Sequence, residues 1–241
     1  MRIDKLLANM GFGTRKEVKQ YIKKGQVRVN GEVERQSKRK VDVNKDLVTF
    51  LGAPVEYKEF VYYMLHKPDG VISATEDYLH GTVLDLLEEE DRFFEPFPVG
   101  RLDKDTEGLL LVTTDGQLAH RLLKPENDVP KVYYAHIDGV VTEEDVAAFQ
   151  NGVTLDDGYE TKPGALTILE SSDESKIELT ITEGKFHQVK RMFEAVDKTV
   201  VYLKRLSMGP LTLDEDLPKG SYRELTEDEV TMLYDYVGLE K

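Results

Sequence analysis

The chain has 241 residues, of which 40% are hydrophobic and 32% are charged, and it contains no cysteine. This size and composition exclude a disulfide-stapled miniature and a chain disordered throughout, and the lack of cysteine excludes thiolate metal sites, iron–sulfur clusters and cysteine nucleophiles. The formal net charge of −14 argues by itself against a nucleic acid partner, which is a polyanion.

The charge is, however, divided unevenly along the chain. Residues 1–58 carry 14 Lys and Arg against 7 Asp and Glu, a net charge of +7, whereas residues 59–241 carry 18 against 39, a net charge of −21. Within the acidic part, residues 183–205 reverse the trend with six basic and three acidic side chains. A basic region of this kind is either a solvated surface or a binding surface for an anion, and the residue pattern has to decide between them.

The N-terminal pattern predicts a helix followed by a hairpin. Thr14 and Glu17 form a capping-box sequence, and Gly25 is a typical helix stop. The outer face of this helix carries Arg15, Lys16, Lys19 and Lys23. The next segment, QVRVNGEVE, reads as two alternating strands joined at the Asn30-Gly31 turn.

This order of helix, turn and hairpin resembles the S4 RNA-binding domain, most closely over TRKEVKQYIKKGQVRVNG at positions 14–31. The resemblance implies that four basic residues contact RNA phosphates, namely Arg15, Lys16, Lys19 and Arg28.

A second domain follows a break in the pattern at residues 53–55, and the apolar stretch FVYYMLHKPDG begins it. We therefore expect domains at 1–58 and 59–241. The second domain mixes strand-like runs at 109–113, 132–137, 177–182 and 200–206 with helix-like runs at 117–124, 143–150, 187–196 and 227–237. Because strands and helices do not alternate regularly, we predict an α+β fold with a mainly antiparallel mixed sheet flanked by helices.

The segment PVGRLDKDTEGLLLVTTDG at 98–116 crowds Asp103, Asp105 and Glu107 between a Pro/Gly loop and an apolar strand. One interpretation is an exposed polar loop. A calcium loop is another, but its last ligand position falls on Thr114, which has no carboxylate. A third interpretation is that Asp103 is a lone catalytic carboxylate.

The third interpretation is supported by a family resemblance. GRLDKDTEGLLLVT resembles the active-site signature of the RsuA branch of pseudouridine synthases, and three further blocks match in order: Lys67–Gly70, Lys131–Tyr133 and EGKFHQVKRMF at 183–193. The C-terminal segment LTLDEDLPKGSYRELTEDEV is similar to the same branch. Together with the S4-like region, these blocks cover nearly the whole chain.

The resemblance implies isomerisation of uridine to pseudouridine, in which the N1–C1′ bond breaks and C1′ is rejoined to C5. The reaction involves no redox change and no outside group, so we expect no cofactor and no metal. Asp103 would act as a nucleophile at C1′ or as a base at the 2′ position, and the sequence leaves both open.

The same motifs imply partners for Asp103. Lys190 is expected to pair with it, and Tyr133 to stack on the uracil with its phenol near C5. Arg101 and Arg191 are expected to contact RNA; Arg101 would fill the space left by the extruded base or hold a phosphate. Glu107 is expected to face away from Asp103, because a second carboxylate there would compete for a proton.

Together these features predict a monomeric, cytoplasmic rRNA pseudouridine synthase that does not bind membranes. Its motifs are most similar to those of enzymes that act on 16S rRNA, and the sequence leaves open whether the substrate is free RNA or a subunit assembly intermediate. The same activity on 23S rRNA and a non-catalytic S4-type assembly protein are the alternatives that the sequence leaves open.

Overall fold

A computed structural model describes residues 1–240 and divides the chain into two compact units. The first comprises Met1–Phe60 and Glu89–Phe94, and the second comprises Val61–Glu88 and the residues from Glu95 onward. In the described residues, no helix has both the length and the apolar character needed to cross a membrane. The domain ranges 1–58 and 59–241 remain our proposal.

The first unit builds its core from two helices and a four-stranded antiparallel sheet in the order β2-β1-β3-β4. Its elements are α1 (Ile3–Asn9), α2 (Arg15–Lys23), β1 (Val27–Val29), β2 (Glu32–Glu34), β3 (Val48–Phe50), β4 (Ala53–Pro54) and the short α3 (Glu89–Arg92). The predicted capping box is confirmed, since the Glu17 amide donates to Thr14 Oγ1 at 3.3 Å. The hairpin is confirmed too: Asn30 and Gly31 turn the chain with φ of 53° and 86°.

The second unit is built on a nine-stranded sheet with the main order β13-β5-β7-β11-β8-β10-β9. Its strands are β5 (Tyr62–Lys67), β6 (Phe97–Pro98), β7 (Glu107–Thr113), β8 (Lys131–Asp138), β9 (Ala165–Glu170), β10 (Glu174–Ile181), β11 (Thr199–Met208), β12 (Leu211–Thr212) and β13 (Tyr222–Glu224). Its helices are α4 (Gly116–Leu123), α5 (Glu143–Asn151), α6 (Gln188–Glu194) and α7 (Glu227–Val237). Only β7 and β11 pair in parallel among these strands, which confirms the α+β class with a mainly antiparallel sheet.

One core cluster joins α4 and α7 to the strands β5 and β7. The helices contribute Leu118, Leu122, Val230 and Leu233, and the strands contribute Met64, Leu109 and Leu111. These residues are nearly inaccessible to solvent, so the loop that precedes β7 is attached to a well-packed strand.

The parallel pairing of β7 with β11 requires a glycine at position 108. Gly108 has φ of 106° and lies in register with Arg205. A Cβ atom at this position would lie 2.2 Å from the Arg205 carbonyl oxygen and 2.6 Å from its amide nitrogen. Both neighbours are backbone atoms, which cannot move aside without breaking the sheet.

We therefore expect Gly108→Ala to lower the free energy of unfolding by about 3 kcal/mol or more. Urea unfolding would measure the change. Gly116→Ala is the matched control, because its added Cβ meets no atom within 4 Å beyond its chain neighbours and its own helix backbone, and alanine favours the helix that starts there. Equal urea midpoints for the two variants would contradict the close approach of position 108 to the Arg205 backbone.

Candidate active site

Hydrogen bonds hold the backbone on both sides of Asp103, which lies in the loop between β6 and β7. Ser73 Oγ accepts from the Leu102 amide at 3.0 Å and donates to the Leu102 carbonyl at 2.9 Å. On the other side, the Lys67 ammonium donates to the Thr106 carbonyl at 2.8 Å. The end of β5 and the segment after it therefore position Asp103 through its neighbours in the chain.

Lys67 is fully buried at the end of β5. Its ammonium also donates to the carbonyls of Pro68 at 2.9 Å and Lys104 at 3.2 Å. Burial lowers the pKa of Lys67 to about 8, while nearby carboxylates, with Asp105 the largest contributor, oppose that shift. Lys67 thus acts as a clamp on the Asp103 loop rather than as a group exposed to a ligand.

Two side chains from the start of α6 flank the Asp103 carboxylate. Lys190 Nζ lies 3.4 Å from Asp103 Oδ2, and His187 Nε2 lies 3.6 Å from Asp103 Oδ1. The Asp103 side chain is 28% exposed. The carboxylate is therefore open to a ligand and close to two groups that can carry positive charge.

Lys190 makes its hydrogen bonds to Asp105 rather than to Asp103. Its Nζ lies 2.6 and 2.8 Å from the two Asp105 oxygens. Burial raises the pKa of Asp105, but the hydrogen bonds and charge of Lys190 outweigh it and hold that pKa below its usual value. The ammonium that the sequence analysis expects to pair with Asp103 is therefore shared by two carboxylates.

Tyr133 reaches the same place from the sheet. The burial of β8 alternates, so that Tyr133 faces the covered side and Tyr134 the other, as the sequence predicts. Tyr133 is 8% exposed, whereas the Tyr134 hydroxyl bonds to the His136 ring at 2.9 Å. The space that we call the Asp103 cavity is lined by Arg101, Asp103, Thr106, Tyr133, His187 and Lys190, among others.

The two predicted RNA-binding arginines of this unit differ in their surroundings. Arg101 is exposed and lines the Asp103 cavity, with no ion-pair partner among residues 1–240. Arg191 instead donates from Nε to Asp156 at 2.6 Å and lies 2.7 Å from an Asp157 oxygen. Arg101 can therefore meet a phosphate directly, whereas Arg191 would first have to give up two carboxylates.

The predicted RNA-binding residues of the first unit are all exposed. Arg15, Lys16 and Lys19 lie on the outer face of α2, whose inner face buries Val18 and Ile22. Arg28 lies on β1 and donates to the Gly31 carbonyl at 2.9 Å. These positions suit phosphate contacts, which need exposed cations and no particular base.

The Glu107 carboxylate contacts side chains outside the Asp103 cavity, in agreement with the expectation that it faces away from Asp103. The Glu107 oxygens accept from Lys219 at 2.8 Å and from the Tyr202 hydroxyl at 2.9 Å. The carboxylates of Asp103, Asp105 and Glu107 therefore do not converge as calcium ligands. Residues 1–240 contain no group of three or more His, Cys, Asp or Glu side chains that could hold a metal ion.

Sequence reasoning assigned no role to His187 and Lys67, which the structure brings to the Asp103 loop. For His187 a signal existed, since it shares the polar face of the predicted helix with Lys190. Its backbone is left-handed, with φ of 47°, and its ring stacks on Phe186 with centroids 3.8 Å apart. Such a conformation is uncommon for a residue with a side chain and is concentrated at functional sites.

Comparisons with known proteins agree with this geometry. Residues 61–195 match the RNA pseudouridylate synthase family, and residues 1–47 match the S4 domain. A solved crystal structure of a pseudouridylate synthase is 34% identical, with a TM-score of 0.68, and the similarity covers 97% of this chain and 99% of that one.

Curated relatives are similar over their full lengths. An uncharacterized RNA pseudouridine synthase of Bacillus subtilis is 54% identical over 97% of this chain and 98% of its own. The ribosomal small subunit pseudouridine synthase A of Vibrio cholerae is 39% identical over 97% of this chain and 100% of its own. The Escherichia coli protein of the same name is 38% identical over 95% of this chain and 98% of its own.

Proposed function

The chain belongs to the RNA pseudouridylate synthase family, carries an S4 domain and is an isomerase, and from this premise we propose that it converts one uridine of 16S rRNA to pseudouridine with Asp103 as the catalytic carboxylate. The observation that carries the proposal is the convergence of three side chains from distant parts of the chain. Asp103, Tyr133 and Lys190 line one cavity that is open to solvent.

The reaction needs an anionic carboxylate close to C1′ of the target ribose. Asp103 attacks C1′ or removes the 2′ proton, and in either case the bond from C1′ to N1 of uracil breaks. Lys190 and His187 place positive charge or hydrogen-bond donors near both oxygens of this carboxylate. The freed uracil then turns and C5 bonds to C1′, which breaks the Asp103–C1′ bond in the first route or returns the 2′ proton to C2′ in the second. The C5 proton then leaves and N1 takes up a proton, so the product is an isomer of the substrate.

Tyr133 is suited to hold the uracil during this turn. An aromatic ring stacks on a base without demanding one fixed in-plane orientation. The described residues offer the Tyr133 hydroxyl no hydrogen-bond partner, so the phenol is free to contact the uracil near C5. We therefore assign Tyr133 the roles of stacking platform and aid to deprotonation.

The target nucleotide has to leave its stack to reach a carboxylate inside a cavity, which costs a few kcal/mol. Arg101, exposed at the cavity, is placed to occupy the vacated position or to bind a neighbouring phosphate. Arg191 is assigned a contact with an RNA phosphate, which would have to compete for its guanidinium with Asp156 and Asp157.

The choice of 16S rRNA is supported by the relatives named as small subunit enzymes. An rRNA substrate, free or in an assembly intermediate, also implies a cytoplasmic enzyme. We further propose a monomer, since one chain carries a whole active site. Carbodiimide labelling with primer-extension mapping on 16S and 23S transcripts tests the proposal. We expect one new stop in 16S rRNA; a stop only in 23S rRNA would reassign the target.

The S4 domain is expected to supply RNA affinity without taking part in the isomerisation. The triple variant Arg15→Ala, Lys16→Ala, Lys19→Ala should weaken binding to 16S fragments and reduce the slope of log affinity against log salt by about 3, because each lost phosphate contact removes about one counterion. Filter binding at several salt concentrations would measure the slope, and the rate constant at saturating enzyme should stay unchanged.

A charge-matched control uses three exposed lysines that already pair with carboxylates. These are Lys45 with Asp42, Lys124 with Glu126 and Lys176 with Glu170. Replacing them by alanine removes the same formal charge but should leave the salt slope within experimental error of the wild type. An equal decrease in salt slope for both triple variants would mean that the α2 residues contribute only to the net charge of the protein and make no specific phosphate contacts.

A further inference from the structure

Two cations that the proposed mechanism does not use are buried next to Tyr133. Lys131 is 8% exposed and Arg205 is 3% exposed. Lys131 lies two residues before Tyr133 on the same face of β8, and Arg205 pairs directly with Tyr133 across β8 and β11. Strand geometry places the Cα atoms of both residues within about 7 Å of the Tyr133 Cα atom.

Neither cation has a carboxylate partner among residues 1–240. Lys131 donates to the carbonyls of Val129 at 2.9 Å and Thr182 at 3.2 Å. Arg205 donates from Nε to the Leu109 carbonyl at 2.8 Å, while its Nη2 is buried without any hydrogen-bond partner. Two like charges buried with no carboxylate in direct contact destabilise a fold, so a bound anion would offset part of that cost.

Burial, and next the charge of Arg205, lower the pKa of Lys131 to about 8, while the more distant charges of Asp128 and Glu183 oppose that shift. This direction agrees with a cation that lacks an anionic partner. A bound anion would stabilise the protonated form.

Both cations line a cavity of about 400 Å³, here called the basic cavity. Its charged lining consists of Arg101, Lys131, Lys162, Lys185, Arg205 and the single acid Glu183. The Glu183 carboxylate is already occupied, since it accepts from Tyr159, the Lys162 amide and Gln188. The cavity therefore offers an anion several donors and little repulsion.

The basic cavity and the Asp103 cavity share Arg101, Tyr133, Gly184 and Lys185 in their walls. We propose that the basic cavity is a phosphate subsite, in which Lys131 and Arg205 hold the RNA phosphate adjoining the target uridine while the uracil lies against Tyr133. This assignment rests on the proposed function. It implies that a nucleotide reaches Asp103 at the correct depth only when its phosphate is bound.

Binding of uridine, 5′-UMP and 3′-UMP to the full chain tests the subsite, with calorimetric titration as the readout. We expect one of the two monophosphates to bind the wild type at least about tenfold more tightly than uridine, and its identity shows which side of the nucleotide the subsite serves. Lys131→Met should abolish this preference while leaving uridine affinity within about twofold of wild type, because a buried apolar side chain of similar length keeps the packing.

Three further variants make the test specific. Arg205→Gln should also remove the preference, which addresses the second cation independently of any folding defect in Lys131→Met. Lys131→Arg should retain most of it, because the charge stays. Lys176→Met is the control, since that lysine is exposed and pairs with Glu170, and it should bind as the wild type does.

Equal binding of uridine and both monophosphates by the wild type would overturn the subsite, as would a preference that survives Lys131→Met and Arg205→Gln. If inorganic phosphate competed for the basic cavity as strongly as UMP does, the cavity could not be assigned to the phosphate of the RNA substrate. A wild-type protein that forms no pseudouridine in any rRNA would refute the proposed function, whereas active enzyme with no phosphate preference would refute this subsite alone.

Discussion

Replacing Asp103 by asparagine is expected to lower the single-turnover rate of tritium release from [5-³H]uridine-labelled 16S rRNA by about 10⁴-fold or more. Asparagine has nearly the same shape but is a poor nucleophile and a poor base. The Ser73 and Lys67 contacts that position the loop involve backbone atoms of neighbouring residues, so the variant should fold normally. Affinity for the RNA should stay within about twofold, since phosphate contacts supply most of it.

Asp105→Asn is the matched control, because it removes a carboxylate from the same loop and keeps Asp103. Asp105 is far more exposed than Asp103, with 70% against 28% of the side chain accessible. Its loss frees Lys190 to bond Asp103 directly, so we expect a decrease in rate of less than about tenfold. If Asp103→Asn were active and Asp105→Asn inactive, Asp105 and not Asp103 would be the catalytic carboxylate.

Lys190→Met is expected to lower the rate by about 10²- to 10³-fold, with a greater loss at low pH. Lys190 holds the pKa of Asp105 below its usual value, so its removal raises that pKa. Lys190 Nζ also lies 3.4 Å from the Asp103 carboxylate, so its removal takes away positive charge that favours the anionic, reactive form of that group. The acid limb of the pH–rate profile should therefore move to higher pH.

Single-turnover rates across the acid range would measure this shift, and Lys190→Arg is the control. The arginine keeps the positive charge, so most of the rate and the position of the acid limb should return. A uniform loss at every pH in Lys190→Met, without movement of the acid limb, would mean that Lys190 only orients the loop. Full activity of Lys190→Met would remove it from the site.

Much of the site is predictable from local patterns. The period of two along β8 correctly places Tyr133 on the covered face, and the helical spacing of His187, Lys190 and Arg191 correctly gathers them at the start of α6. The hairpin turn is predictable because Asn-Gly is a sequence that readily adopts positive φ at both central positions, as Asn30 and Gly31 do. In each case neighbours in sequence determine the outcome.

The remaining features depend on partners that are distant in sequence. Nothing near position 190 indicates that Asp105 competes with Asp103 for its ammonium, because that outcome depends on how the Asp103 loop is held by Lys67. Nor does the pattern of β11 indicate that a charged Arg205 occupies a buried position opposite Tyr133. A polar residue at a buried position runs against the usual preference, and such exceptions are concentrated at functional sites.

The most direct test of the central claim counts tritium released per RNA molecule when the wild type is incubated with C5-labelled 16S rRNA. A carboxylate that isomerises one extruded uridine should release one tritium per RNA and then stop, with no release by Asp103→Asn under the same conditions. RNA binding by the wild type without release from any rRNA, subunit or assembly intermediate would contradict the account and indicate a non-catalytic RNA-binding protein.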